Sequence, residues 1–207
     1  GLVSRQNGTY ELTPFGQVVY EETARATSTI RIASRLSPLL GPLQQSEDPI
    51  ELRAFEGATV TELEPGDPYP PMRRFHSLIE EASRVREFTP MPWNPAYQNT
   101  LYDRVRDGLW VAVVYPPSAV DRLRQGDGEF ERALEEGELH ARVGNPPGFR
   151  LVVADDHVYI GGYNEDTSFL ELVADTADSD VVEWAGRCFE TQWKKATPYE
   201  IYVENGR

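Results

Sequence analysis

The chain has 207 residues, 40% of them apolar, with 34 acidic against 20 basic side chains and a formal charge of −14. That length and apolar content suit one folded core, or one domain with an appendage, and exclude a disordered chain. No run reaches the ~20 apolar residues of a membrane helix, no signal-peptide pattern is present, and the negative charge argues against a generic nucleic-acid-binding surface.

Lys194 and Lys195 are the only lysines, so 18 of the 20 basic residues are Arg. An acidic, lysine-poor composition fits a salt-loving source, because excess like charge keeps a protein soluble where screening is strong. Cys188 stands alone, which excludes an internal disulfide and fits a reducing, cytoplasmic compartment. It falls on the apolar side of a predicted helix and reads as a small core residue.

"GLVSRQNGTYELTPFGQVVYEE" opens the chain without a Met, in strand-like sequence, which reads as the interior of a longer protein. Asn7-Gly8 between two apolar runs predicts a hairpin. Thr13 reads as a helix N-cap with Pro14 at the first helical position. Apolar positions from Phe15 to Leu39 predict one long helix ending near Pro38 or Gly41. "GPLQQSEDP" is linker-like, followed by a short helix around Ile50 to Phe55 and a strand around Ala58 to Leu63. "EPGDPYPP" is too rich in Pro and Gly for either element.

From Met72 the pattern alternates. "MRRFHSLIEEAS" predicts a helix, "RVREFTPM" a strand, "NPAYQNTLYDRVRDG" a helix capped by Asn94, and "LWVAVVYP" a buried strand. "PSAVDRLRQ" and "EFERALEEG" predict helices and "ELHARV" a strand. "GFRLVVADDHVYIGGYNED" predicts a hairpin turning at Asp155-Asp156, "SFLELVAD" a strand, and "SDVVEWAGRCFETQWKKA" an amphipathic helix. Helices between strands, with one hairpin inserted, predict an α/β domain with a mixed β-sheet flanked by helices.

The first two dozen residues resemble the end of a winged helix-turn-helix DNA-binding domain. In that family "GLV" is the strand after the recognition helix, "QNG" tips the wing, and "YELTPFGQ" leads into the last helix. The resemblance implies DNA contacts by Arg5, Gln6 and Asn7, and a recognition helix that would lie before Gly1. Without that helix, this chain is expected to lack specific DNA binding.

"FRLVVADDHVYIGGYNED" resembles the phospholipase D superfamily motif, His-x-Lys-x4-Asp followed by Gly-Ser-x-Asn. The His of that motif is a nucleophile, the Lys holds phosphate oxygens and the Asp orients a His. The matching positions here are Gly148, Arg150 and Asp155, with Gly162 and Asn164 near the second segment but one residue out of register. Gly148 has no side chain to phosphorylate. His157 lies across the turn and by strand parity is not expected to replace it. The resemblance therefore implies a phospholipase D-like fold without catalysis, in which Arg150 could still hold an anion.

From about Ile50 to Trp193 the order and spacing of "DPIELRAFEGATVT", "DPYPPMRRFHSLIEEASRVR", "LYDRVRDGLWVAVV", "GFRLVVADDHVYIG" and "VVEWAGRCFETQWKKA" resemble a narrower group. These are archaeal regulators with a winged-helix N-terminus and a C-terminal domain named after a methanogenesis regulatory protein. That implies a cytoplasmic, dimeric regulator whose α/β domain senses a signal, such as an anionic or other metabolite. It divides the chain into a winged-helix remnant at 1–20, a linker or dimerisation helix at 21–45 and a sensing domain at 46–207.

Other candidate ligand contacts come from position. Arg74 and His76 lie on a helix behind the Pro-rich loop, where His76 could bind an anion or pack on its own helix. Trp93, Asn94 and Tyr97 follow a strand, where α/β proteins place their ligands, although capping by Asn94 and burial of Trp93 explain them equally. Tyr115 occupies the same kind of place one unit later. Tyr163 lies beside Asn164. His140, alternating with apolar neighbours, reads as a sheet-face residue. No phosphate loop, zinc-protease helix, EF-hand or nucleotide fingerprint is present, and the acidic pairs Asp155-Asp156 and Glu165-Asp166 are weak signals for a metal. No cofactor is expected. Two other readings stay open: a phosphodiesterase using His157 or His76, and an interaction domain without a ligand.

Overall fold

The structure is a computed structural model that describes residues 1–6, 8–91, 95–126, 128–135, 138–164 and 169–205, leaving aside the side chains at 6 and 95–98. Asn7, Trp93, Asn94 and the side chains of Gln6 and Tyr97 therefore lie outside the described residues, as do Glu165 and Asp166.

Two short antiparallel strands, β1 (Val3–Gln6) and β2 (Thr9–Leu12), form the opening hairpin, with Val3 opposite Leu12 and Gly8 at φ +82 in the turn. Helix α1 (Pro14–Arg35) starts as its sequence requires: the Thr13 hydroxyl accepts from the Gly16 amide at 2.9 Å, and Pro14 gives up no useful donor at the first position. Thr13 also ties the helix to the hairpin, its amide and hydroxyl donating to Leu2 O and Gly1 O at 3.0 and 2.9 Å. Gly16 permits this approach, since a Cβ built there would collide with the Leu2 carbonyl.

The single long helix expected here is two. α1 stops at Arg35 and a separate helix, α2 (Ser37–Gln44), follows Leu36 at φ −99, ψ 20. Pro38 explains the break, because in an unbroken helix its ring would press on the carbonyl four residues earlier. The first half of the linker-like stretch is thus helical. α2 buries Leu39 and Leu43, with Leu36 just before it.

A 3-10 turn (Leu52–Phe55) leads to β3 (Thr59–Glu62). Then come α3 (Pro70–Glu81), β4 (Arg84–Phe88), α4 (Pro95–Arg106), β5 (Trp110–Tyr115), α5 (Pro117–Arg124), α6 (Glu129–Glu135) and β6 (Leu139–Val143). The second hairpin is β7 (Arg150–Ala154) and β8 (His157–Tyr163), followed by β9 (Leu170–Thr176) and α7 (Ser179–Lys195). A two-residue strand β10 (Thr197–Pro198) and a helix α8 (Tyr199–Asn205) close the chain, neither of them expected from the sequence.

The main sheet runs β10-β6-β5-β4-β7-β8-β9-β3, with β6, β5 and β4 parallel and the other pairs antiparallel. Strand alternation splits its buried residues into two cores. On one face Val85, Val111, Val113, Val152 and Tyr159 pack against α3, α4, α5, α6 and α8. On the other, Phe88, Phe149, Leu151 and Ile160 pack against α2 and α7. The result is the mixed sheet between helical layers that the element order predicted. No helix among the described residues is long and apolar enough to cross a membrane.

α7 anchors the second layer. Asp178 caps its first turn and Lys194 and Lys195 complement its C-terminal dipole. Trp184 stacks on Phe149 and donates its indole N–H to Asp48 O at 2.7 Å. Cys188 is buried on this face, and burial pushes its thiol up to about 11, which leaves it unreactive.

Gly16→Ala is expected to lift the opening hairpin from α1. Protease cleavage within residues 1–12 should accelerate roughly tenfold, while the unfolding midpoint of the sheet moves by less than about 1 °C.

Candidate functional site

The second hairpin is built by its turn. Asp155 sits at φ 50, a left-handed conformation that Asp tolerates better than most residues. Its carboxylate accepts from the Ser83 and Arg84 amides, both at 3.0 Å, and its own amide donates to Arg84 O at 2.9 Å. Asp155, expected among the ligand contacts, therefore fastens the start of β4 at the far end of the hairpin from Arg150.

At the other end, parity gathers polar groups on the inner face. Glu87 of β4, Thr89 just beyond it, Arg150 of β7 and Tyr159 and Tyr163 of β8 all point the same way. Arg150 is 3% exposed, neither open to a cleft nor turned to solvent. Its Nε and Nη2 donate to Thr89 Oγ1 at 3.3 and 3.2 Å, and its guanidinium lies 5.5 Å from the Phe75 ring and 5.9 Å from that of Tyr163. Thr89 donates to Met91 O at 2.8 Å and shares a 3.3 Å contact with the Tyr163 hydroxyl. The Tyr159 hydroxyl donates to Pro71 O at 3.3 Å. Gly161, opposite Arg150, leaves room for this packing, because a Cβ there would stand 2.7 Å from Leu170 Cδ1.

Glu87 completes the cluster and was not anticipated. It is fully buried, with Oε1 3.6 Å from Arg150 Nε, and neither oxygen has a hydrogen-bond partner among the described residues. Burial pushes its carboxyl up to about 8, and the opposing pull of Arg150 does not cancel this. The signal available in the sequence was parity: Glu87 follows Val85 on an inward-facing register.

A second polar group lies at the opposite end of the same face. Buried Asp175 of β9 accepts from Arg74 Nε at 2.9 Å and from its Nη2, and pairs with His157 Nε2 at 2.9 Å. Burial pushes the Asp175 carboxyl up, but the hydrogen bonds from Arg74 and His157 outweigh it and hold the group below its ordinary range. His157 thus shares a face with Arg150, whereas a Cβ at Gly148 would point toward Pro42 of α2, in the layer on the other face. His157 is four residue steps along the strand from the Arg150–Gly161 pair, about 13 Å. Face and distance together separate it from Gly148.

The remaining candidates disperse. His76 is half-buried on α3. Tyr115 is buried, its ring 6.0 Å from that of Phe130. Asn164 closes the connection to β9, its amide donating to Phe169 O at 2.8 Å. His140 is exposed on the sheet face that packs against α7, beside the Trp110 ring. Arg5 lies on β1 over the Tyr10 ring. Among the described residues no group of three or more His, Cys, Asp or Glu could hold a metal ion.

Gly148 lies on the wall of a crevice of about 500 Å³ at the carboxyl ends of β5 and β6, where open α/β sheets place their ligands. A Cβ at Gly148 would make ordinary contact with Pro42 of α2, at 3.7 Å. Gln45, Asn145, Gln192 and Thr197 supply polar groups around the opening, over an apolar floor of Val114, Val143 and Ala196. Lys195 and Glu47 pair at its edge with side chains 54% and 62% exposed, and such exposed pairs contribute only ~0–1 kcal/mol. A groove of about 600 Å³ also lies between Pro49–Gly57 and the start of α7. It lies away from the strand ends.

The folded chain holds a proton on Glu87, between its ordinary 4.5 and about 8, that the unfolded chain releases. Stability is therefore expected to fall as pH rises through that window. Glu87→Gln should change little near pH 5 and add a few kcal/mol above pH 8, measured by urea unfolding. A variant weaker than its parent at every pH would mean that Glu87 is ionised against Arg150.

Comparison with known proteins places this geometry. A search of curated protein sequences finds no match. TrmBL2, an archaeal chromatin protein whose structure shows a novel mode of DNA binding, is 15% identical with a TM-score of 0.56, over 96% of this chain and 77% of its own. NucT from Helicobacter pylori is 14% identical with a TM-score of 0.53, over 69% of this chain and 98% of its own. Nuc from Salmonella typhimurium, a phospholipase D family member, is 16% identical with a TM-score of 0.50 over the same shares. At these identities the likeness is one of fold, over about two thirds of this chain for NucT and Nuc and nearly all of it for TrmBL2. The family model for the middle domain of the methanogenesis regulatory protein FilR1 matches residues 68–195, more than half the chain, and the chain belongs to that family.

Proposed function

We propose that this chain is the signal-receiving and dimerising part of a winged-helix transcription regulator, and that its phospholipase D-like body no longer catalyses. The observation that carries this reading is Gly148. The place of the phosphoryl acceptor holds a hydrogen atom, faced by Pro42 of α2, and loss of a nucleophile removes most of an enzyme's rate enhancement. Arg150, in the place of the phosphate-holding Lys, is engaged with Thr89, Phe75 and Tyr163 inside the protein.

The regulatory half of the reading has three supports. The family is named for a regulatory protein. TrmBL2, described as binding DNA, shares the fold across hairpin, helix and body. The exposed apolar side chains also concentrate at this end: Leu2, Val3, Tyr10, Leu12, Phe15, Val18 and Ile30. Residues of the hairpin are those that the body of a winged helix would cover. Phe15, Val18, Val19, Ala26 and Ile30 fall within about a third of the circumference of α1, a stripe suited to the same stripe on a second copy. Such a dimer would set the spacing of two DNA-binding heads in the cytoplasm, and a ligand in the body would bias it.

Two measurements test this. Light scattering after size exclusion in high salt is expected to give a dimer at micromolar concentration, shifted to monomer by Val18→Glu with Ile30→Glu; a parent that runs as a clean monomer removes the dimer. A bis-nitrophenyl phosphate ester should not be hydrolysed. Turnover abolished by His157→Ala would instead establish a phosphodiesterase using the His157–Asp175 pair. The charge of −14 further suits a salt-rich cell, and raising KCl from about 0.1 M to the molar range should raise the unfolding midpoint as like-charge repulsion is screened.

A further inference from the structure

We propose that the crevice beside Gly148 binds a small zwitterion of the α-amino acid type, with Lys195 holding its carboxylate and Glu47 its ammonium group. The proposal builds on the regulator reading only for its consequence, not for binding itself.

Two residues without side chains, Gly144 and Gly148, line the opening. A Cβ at Gly144 would stand 3.1 Å from Ala196 Cβ and 3.4 Å from Val114 Cγ1, and so would project into the crevice. One at Gly148 would meet only Pro42, at ordinary contact distance. A larger side chain at 148 would therefore fill the space without disturbing backbone. The volume of about 500 Å³ is that of a metabolite site.

Charge chooses the ligand. The edge carries one cation and one carboxylate, already paired with each other and mostly exposed, so the pair exchanges readily for an equivalent set of contacts. A simple anion would satisfy Lys195 but face Glu47, and a simple cation would meet the reverse. A molecule bearing both charges satisfies both groups at once. The negative ends of two helices, α2 at Gln44 and α7 at Lys195, border the crevice and favour the ammonium end. The amides of Gln45, Asn145 and Gln192 can bind either end. The floor of Val114, Val143 and Ala196 takes a short aliphatic body.

The site also has a route to the rest of the chain. Gln45 and Glu47 follow α2 directly, and α2 follows α1 after the single residue Leu36. Exchange of Glu47 from Lys195 to a ligand releases a tie between this connection and α7. In the regulator reading, that is how an effector would reach the dimer helix.

The test uses the whole chain with the common L-amino acids at millimolar concentration, and acetate and ethylamine as single-charge controls. At least one amino acid with a short aliphatic side chain is expected to raise the unfolding midpoint by about 2–4 °C at saturation, with neither control doing so. Calorimetry should show roughly tenfold weaker binding for Glu47→Gln and for Lys195→Met. Gly148→Val should abolish binding while leaving the ligand-free midpoint within about 1 °C. No shift with any amino acid, an equal shift with acetate, or binding retained in Gly148→Val would overturn the site. Binding by a chain that is monomeric in light scattering would leave this site standing and remove the dimer, whereas a dimer that binds no amino acid would do the opposite.

Discussion

The seat of α2 on the end of the second hairpin is the contact on which the rest of the account depends. Gly162 lets it form. A Cβ there would stand 3.1 Å from Leu39 Cγ and 3.2 Å from Pro38 Cβ, tighter than the packing allows without movement. Leu39 is fully buried as a result, and Pro42 stands over Gly148. Gly162 thus admits the helix that joins α1 to the body.

The charges near the hairpin end are closed in as well. An arginine in an open catalytic cleft keeps its donors for substrate. Here Arg150 is closed in by Phe75, Tyr163 and Thr89, and Glu87 beside it gains protonation rather than a hydrogen-bonded partner. A half-satisfied buried polar cluster is expensive. At the other end of the hairpin the Asp155 carboxylate fastens backbone amides of β4.

Much of the architecture was legible because local chemistry and periodicity agreed. Thr13-Pro14 marked the start of α1, and the turn at Asp155-Asp156 joined two runs that pair as β7 and β8. The break between α1 and α2 was signalled by Pro38, but the apolar spacing carried across it and hid it. The terminal helix α8 was missed because it is only seven residues long, with Tyr199 its sole buried residue. The site was less legible than the fold. Glu87 is one acid among 34, and nothing local distinguishes a buried carboxyl from a solvated one. The roles of Gly148 and Gly162 depend on α2, more than a hundred residues earlier in the chain, and no pattern within the hairpin contains that information. What packs on the hairpin end, α2 above all, is visible only in the folded chain.

Native-state hydrogen exchange of the α2 amides tests the seat most directly. Residues 39–44 should exchange in the parent only through global unfolding, as slowly as β7 and β8. In Gly162→Val, whose added carbons would push Leu39 and Pro38 away, those amides should exchange at least tenfold faster while β4 and β5 keep their protection. Fast exchange along α2 in the parent chain, or unchanged protection in the variant, would mean that the helix is not held by the hairpin end, and the account would fail.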